Sequence, residues 1–182
     1  LGLLALLAAQ DQAFAPRPLS LSRGVLAGAW VVAALVLVQF ALGGWVSTNY
    51  AALACTDFPL CQGELFPQMD FANGFTLWRD LGMTAHGDYL PFPALTAIHW
   101  THRAFAFIVV ASVAWVALRA FKVDALRKTA RGLLVMIALQ FAIGMSTVFL
   151  NLPLALAVAH NGGAALLVIL LVMLNHKIRT VR

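Results

Sequence analysis

Charge is what this chain has least of. Of 182 residues, 12 are Lys or Arg and seven are Asp or Glu, so charged residues amount to 10%. A soluble domain carries about 25%, and the deficit excludes an ordinary water-soluble globule. No Asp or Glu falls inside any of the long apolar stretches, so carboxylate ligands for a metal are missing there. Cysteine occurs twice, and a zinc site would want three or four ligands. No secretory leader with a cleavage site is evident in these residues. The net charge of +5 does not mark a nucleic-acid binder. Its basic residues sit in short loops between apolar runs, the pattern that orients membrane proteins.

What is there is apolar: 62% of the residues are hydrophobic. Lipid offers no partner for a free backbone group, so long apolar runs are expected as helices. The expected fold class is an all-α membrane protein, a bundle of four transmembrane helices at 24–48, 94–121, 132–150 and 154–175. The run Leu1–Ala9 stops at Gln10-Asp11 and is too short to span, since about 20 residues are needed. Residues 1–10 read as the end of a preceding transmembrane helix, with a short amphipathic N-terminus as the alternative.

Orientation follows from the connections. The loop 11–23, the loop 122–131 and the tail 176–182 carry the basic residues, among them Arg17, Arg23, Lys122, Arg127, Lys128, Arg131, Lys177 and Arg179. The positive-inside rule makes that side cytoplasmic. The long loop 49–93 holds Asp57, Glu64, Asp70, Asp80 and Asp88 against Arg79 alone. It and the turn 151–153 are expected outside. There is also an internal echo: Gln39-Phe40-Ala41-Leu42-Gly43 in the first span resembles Gln140-Phe141-Ala142-Ile143-Gly144 in the third. Small residues beside a Gln permit close helix approach and a hydrogen bond across the bundle. Gly43, Gly44 and Gly144 read as ordinary packing glycines.

An ionisable residue inside a span is costly and marks function by default. The second span carries His99-Trp100-Thr101-His102-Arg103, and the fourth carries His160-Asn161-Gly162-Gly163. At a rise of 1.5 Å per residue, His102 lies about 13 Å beyond Pro93 and His160 about 10 Å beyond Pro153. Two imidazoles at similar depth suit the axial positions of a haem iron. Depth alone leaves His99 open as a ligand, or as a partner for a propionate. Arg103 reads as a propionate partner, or as an Arg satisfied by carbonyls or snorkelling to water. Gly162 and Gly163 lie where bulk would crowd a macrocycle. His86 and His176 read as solvated.

Cys55 and Cys61 bracket Thr56-Asp57-Phe58-Pro59-Leu60 on the side where disulfides persist. A structural disulfide and a redox-active pair are both open. Phe58, Phe66, Phe71, Phe75 and Trp78 read as a lid over the helix ends or as an interfacial belt.

Taken together, Gly43-Gly44-Trp45-Val46-Ser47-Thr48-Asn49-Tyr50, Ala54–Gly63, His99–Arg103 and Ala159-His160-Asn161 resemble the C-terminal half of the haem A synthase family of cytochrome oxidase assembly proteins. The resemblance covers nearly the whole chain. It implies half of an eight-helix, pseudo-symmetric protein in the bacterial inner membrane. His102 and His160 would be the axial ligands of haem b, with His99 and Arg103 beside the cofactor and Cys55 and Cys61 as a disulfide. The implied reaction oxidises a methyl group of haem O to a formyl group through an alcohol. The substrate site and its glutamate would belong to the other half, so no catalytic residue is assigned and this stretch alone would be inactive. The implied partners are haem O, haem O synthase, oxidase assembly factors, membrane lipid and a second copy of the chain. The alternatives are a membrane b-type cytochrome that carries electrons and a helical bundle without haem.

Overall fold

The structure is a computed structural model that describes residues 23–180. The helix end expected at 1–10 and the loop from 11 to 22 lie outside the described residues. Four long helices dominate: α1 (Arg23–Thr48), α3 (Phe92–Phe121), α4 (Arg127–Phe149) and α5 (Leu154–Thr180). The single-turn α2 (Phe71–Gly74) lies in the long loop. The described residues contain no β-strand beyond two isolated bridges, Cys61 with Glu64 and Met83 with Tyr89. Each long helix is long and apolar enough to cross a bilayer. Between 11% and 28% of each apolar window is buried within the chain. The remainder, including Leu37, Phe40, Leu118 and Leu166, is apolar surface that lipid solvates and water would not.

Two helices extend beyond their apolar stretches. α4 starts at Arg127, five residues before the apolar stretch at 132–150, and α5 runs to Thr180, past 175. Hydropathy reports where lipid ends, whereas the hydrogen-bond ladder continues into the polar zone until something caps it. Asp124 pairs with Arg127 at the α4 start. Lys177 Nζ donates to Thr129 Oγ1 at 3.0 Å near the end of α5.

Contacts divide the chain into two units. Among the described residues, one takes in 23–37, Ile108–Phe141 and 159–180; the other takes in Val38–Phe107 and Ala142–Val158. In the first unit, Val25, Ala29, Val32 and Val36 form one buried stripe of α1, at the 3–4 residue spacing of a helix face. Val109, Val113, Val116 and Ala120 do the same on α3. A Cβ at Gly28 would lie 2.6 Å from the Trp115 ring, so glycine there permits close approach of α1 and α3. Buried Asn175 donates to Ala29 O at 3.2 Å and Leu171 O at 2.9 Å. Such bonds satisfy an amide nitrogen that lipid would leave unpaired.

The second unit holds the long loop. Its core is Val46, Ala51, Leu90, Ala94 and Ile98, with Trp45 and Phe75 packed against it. Buried Asn49 ties the loop together. Its Oδ1 accepts from Arg79 Nη1 at 2.8 Å and from Gly82 N at 3.2 Å, and its Nδ2 donates to Trp45 O at 2.9 Å. Arg79, the loop's one basic residue, also lies 5.3 Å over the Trp45 ring.

Candidate functional site

The segment His99–Arg103 lies on α3, and its side chains separate by face. Thr96, His99, Trp100, Arg103 and Phe107 recur at helical spacing, and all five meet the loop that carries the cysteines. Cys55 and Cys61 form a disulfide. The Cys55 backbone N–H donates to His99 Nδ1 at 3.2 Å, and His99 is buried. Trp100 Nε1 donates to Leu65 O at 2.9 Å. Arg103 Nη2 donates to Asp57 O at 2.8 Å and Leu60 O at 3.0 Å. Its guanidinium sits 5.2 Å over Phe58, which stacks on Phe107 at 6.1 Å. Gln62 Nε2 donates to Thr96 Oγ1 at 2.8 Å.

Inside the loop, Asp57 supplies the second tie. Its Oδ1 accepts from Gln62 N at 2.7 Å and its Oδ2 from Gly63 N at 2.8 Å. These amides sit where the chain turns through positive φ, +59° at Gln62 and +79° at Gly63. The Gly63 amide, then the Gln62 amide, with Arg103 nearby, hold the Asp57 carboxyl below its ordinary range against an opposing push from desolvation. The aromatics divide: Phe58 and Phe66 dock on α3, whereas Trp78 stands 94% exposed.

His102 turns to α1 instead. Gln39 Nε2 lies 3.1 Å from His102 Nδ1 and 3.4 Å from Nε2, and donates to His102 O at 3.2 Å. A Cβ at Gly43 would sit 3.2 Å from His102 Cε1. Gly43 thus makes room for an imidazole, which the packing-glycine reading missed, while Gly44 has nothing within 4 Å of such an atom.

The other unit repeats the motif. Gln140 reaches the part-buried His160 of α5, with its amide oriented so that both ends are satisfied. Nε2 donates to His160 O at 3.1 Å and to Nδ1 at 3.2 Å, and Oε1 accepts from Ala164 N at 3.2 Å. A side chain at Gly163 would strike the Gln140 amide. Glycine there therefore admits a glutamine, which corrects the expectation that it spares room for a ligand. Gly162 faces open space.

Both Gln-bearing segments were visible as an echo, and the expected hydrogen bond across the bundle is present at each. That each would end on a histidine had no signal in the sequence. The loop partners Asp57, Gln62 and Thr96 were likewise missed; only the turn-forming Gln62-Gly63 beside Cys61 hinted at them. His86 is exposed, and His176 is part-buried on α5. The described residues contain no cluster of three or more His, Cys, Asp or Glu able to hold a bare metal ion.

The profile of one protein family, described as cytochrome oxidase assembly protein, matches residues 1–172. The chain is similar to the "Heme A synthase" of Shewanella oneidensis, 38% identical over 147 residues, 80% of this chain and 44% of that relative. It is 31% identical over 160 residues to the protein of the same name from Nitrosospira multiformis, 86% of this chain and 42% of the relative. With the Nitrosomonas eutropha protein, also so named, it shares 30% identity over 142 residues, 76% of this chain and 37% of the relative. The chain therefore spans less than half the length of the curated relatives it matches.

Proposed function

Because the chain belongs to the cytochrome oxidase assembly protein family, we propose that it is the haem b-holding part of a haem A synthase. His102 and His160 would be the residues that hold its iron. The observation that carries this reading is a pair of imidazoles inside apolar helices that contain no carboxylate. Gly43 clears room for the His102 ring.

The residues present fit a haem. The donors are two imidazoles, a common ligand type for haem iron. Arg103 Nη1 is buried and makes no hydrogen bond among the described residues, which leaves one guanidinium nitrogen for an anionic propionate. His102 fits the ligand role better than His99. A backbone N–H can only donate, so the Cys55 amide fixes the His99 ring proton on Nε2 and takes up Nδ1. The partner of His102 is a side-chain amide, which can offer either end.

When bound, the haem supplies a one-electron Fe(III)/Fe(II) couple. The chain's part is to hold the two imidazoles, to exclude water with apolar helices, and to brace the ligand-bearing turn of α3 against the disulfide loop. The whole protein's reaction would oxidise the methyl group of haem O to a formyl group through an alcohol, in the bacterial inner membrane with the Cys loop outside the cytoplasm. Haem O synthase would be the supplier of haem O.

The test is optical and paramagnetic spectroscopy of the purified chain. A low-spin bis-histidine b-type spectrum is expected. His102→Ala and His160→Ala should each lose it while the protein still inserts. A full low-spin haem load in both variants would overturn the assignment, and His99→Ala should retain the haem.

A further inference from the structure

The two glutamine contacts have the same form. In each, an amide from the preceding long helix reaches the backbone carbonyl of a histidine and the Nδ1 of the same residue: Gln39 on His102 at 3.2 and 3.1 Å, Gln140 on His160 at 3.1 and 3.2 Å. They are the polar members of the echoed Gln-Phe-Ala-Leu/Ile-Gly segments. Each is accommodated by a glycine, since Gly43 clears the His102 ring and Gly163 clears the Gln140 amide. A polar contact made only to glue helices has no reason to select a carbonyl and ring nitrogen of one residue twice.

We propose that Gln39 and Gln140 are a matched pair of positioning residues that fix the ring orientation and donor strength of His102 and His160. The proposal rests on the reading of those histidines as haem ligands. A metal-bound histidine nearly always engages its second ring nitrogen in a hydrogen bond, and that partner sets both the ring angle and the ligand's basicity. With iron on Nε2, the ring proton sits on Nδ1 and needs an acceptor. An amide suits this position because a half-turn about its last bond exchanges donor for acceptor. Gln39 Oε1 is buried and has no hydrogen-bond partner among the described residues, so it is available for that role. Gln140 can make the same exchange. Its amide bridges His160 O and Ala164 N–H, the two groups that an α-helix otherwise pairs with each other, so turning it to accept from Nδ1–H leaves each of them a partner.

A neutral acceptor at Nδ1 gives a ligand of intermediate strength. A carboxylate there would pull on the Nδ1 proton, strengthen the ligand and favour ferric iron. An apolar group would remove the acceptor and do the opposite. The experiment is redox titration and low-temperature paramagnetic resonance of the purified chain, as wild type, Gln39→Glu and Gln39→Met, with Gln140→Met in parallel. Gln39→Glu should retain haem and shift the midpoint potential downward. Gln39→Met and Gln140→Met should shift it upward and broaden the low-spin signal as the ring loses its angular restraint. If Gln39→Glu fails to insert, the two Met variants decide by the sign of their shift. Haem-loaded variants with wild-type potential and signal would overturn the proposal and leave the ligand assignment standing. A wild-type chain without haem would instead overturn the ligand assignment, and this proposal with it.

Discussion

Asp57 binds two consecutive amides of its own loop, and a carboxylate does this only when ionised. Its depressed titration gives the effect a sign. Folding favours the charged form, so the contribution is complete above the ordinary value of 3.8 and is lost as pH falls through the lower value of the folded loop. Protection of the Gln62 and Gly63 amides, relative to an unstructured chain at the same pH, should therefore be high at neutral pH and fall below about pH 4. Asp57→Asn should lower that protection at every pH and flatten its pH dependence. Protection of both amides persisting in acid would show that the disulfide alone shapes the loop. Gly163 argues at the same scale: Gly163→Leu should displace Gln140 and lower thermal stability by roughly 1–3 kcal/mol, the usual cost of overpacking, measured as a fall in the melting temperature of the detergent-solubilised chain.

Among the elements, α3 carries most of the design. One side of it is a landing strip for the disulfide loop, and Arg103 is its strongest tie, donating from one nitrogen to two carbonyls. Lysine cannot reproduce a planar group that reaches both carbonyls while lying over the Phe58 ring. Arg103→Lys should raise the population of the open loop by roughly 30-fold, the equivalent of about 2 kcal/mol for a charged hydrogen bond, read as faster reduction of Cys55–Cys61 by a small thiol. The four spans were legible because their apolar length alone decides the matter in lipid, and the ligand candidates because histidine inside a span is conspicuous. The loop's ties were not legible. Asn49 with Arg79, and Arg103 with the carbonyls of Asp57 and Leu60, are pairings across 30 to 46 residues, and no local periodicity encodes them. The helix starts and ends were blurred for a different reason, since Arg127–Arg131 is polar and helical at once.

For the whole molecule, the charge pattern predicts an orientation. A reporter that matures only outside the cytoplasm should be active when inserted at Gly87, an exposed position with open space around it. Inserted at Val123, between α3 and α4, it should be silent. The reverse result would invert the topology and put the disulfide in a reducing compartment. The chain spans 44% of its Shewanella relative, so the proposed oxidation of haem O is a test for a protein of that relative's full length. The spectroscopic tests need only this chain.

From His99 to Arg103 no side chain of α3 is uncommitted. His99 accepts from Cys55, Trp100 bonds Leu65, Thr101 bonds back to Ala97, His102 meets Gln39, and Arg103 holds Asp57 and Leu60. Five consecutive obligations, three of them to the cysteine loop, leave that stretch no freedom to change by itself. A chimera that imports the cysteine loop from a relative should mature only if the matching stretch of α3 travels with it, so helix and loop behave as one heritable module although some 40 residues of chain lie between them.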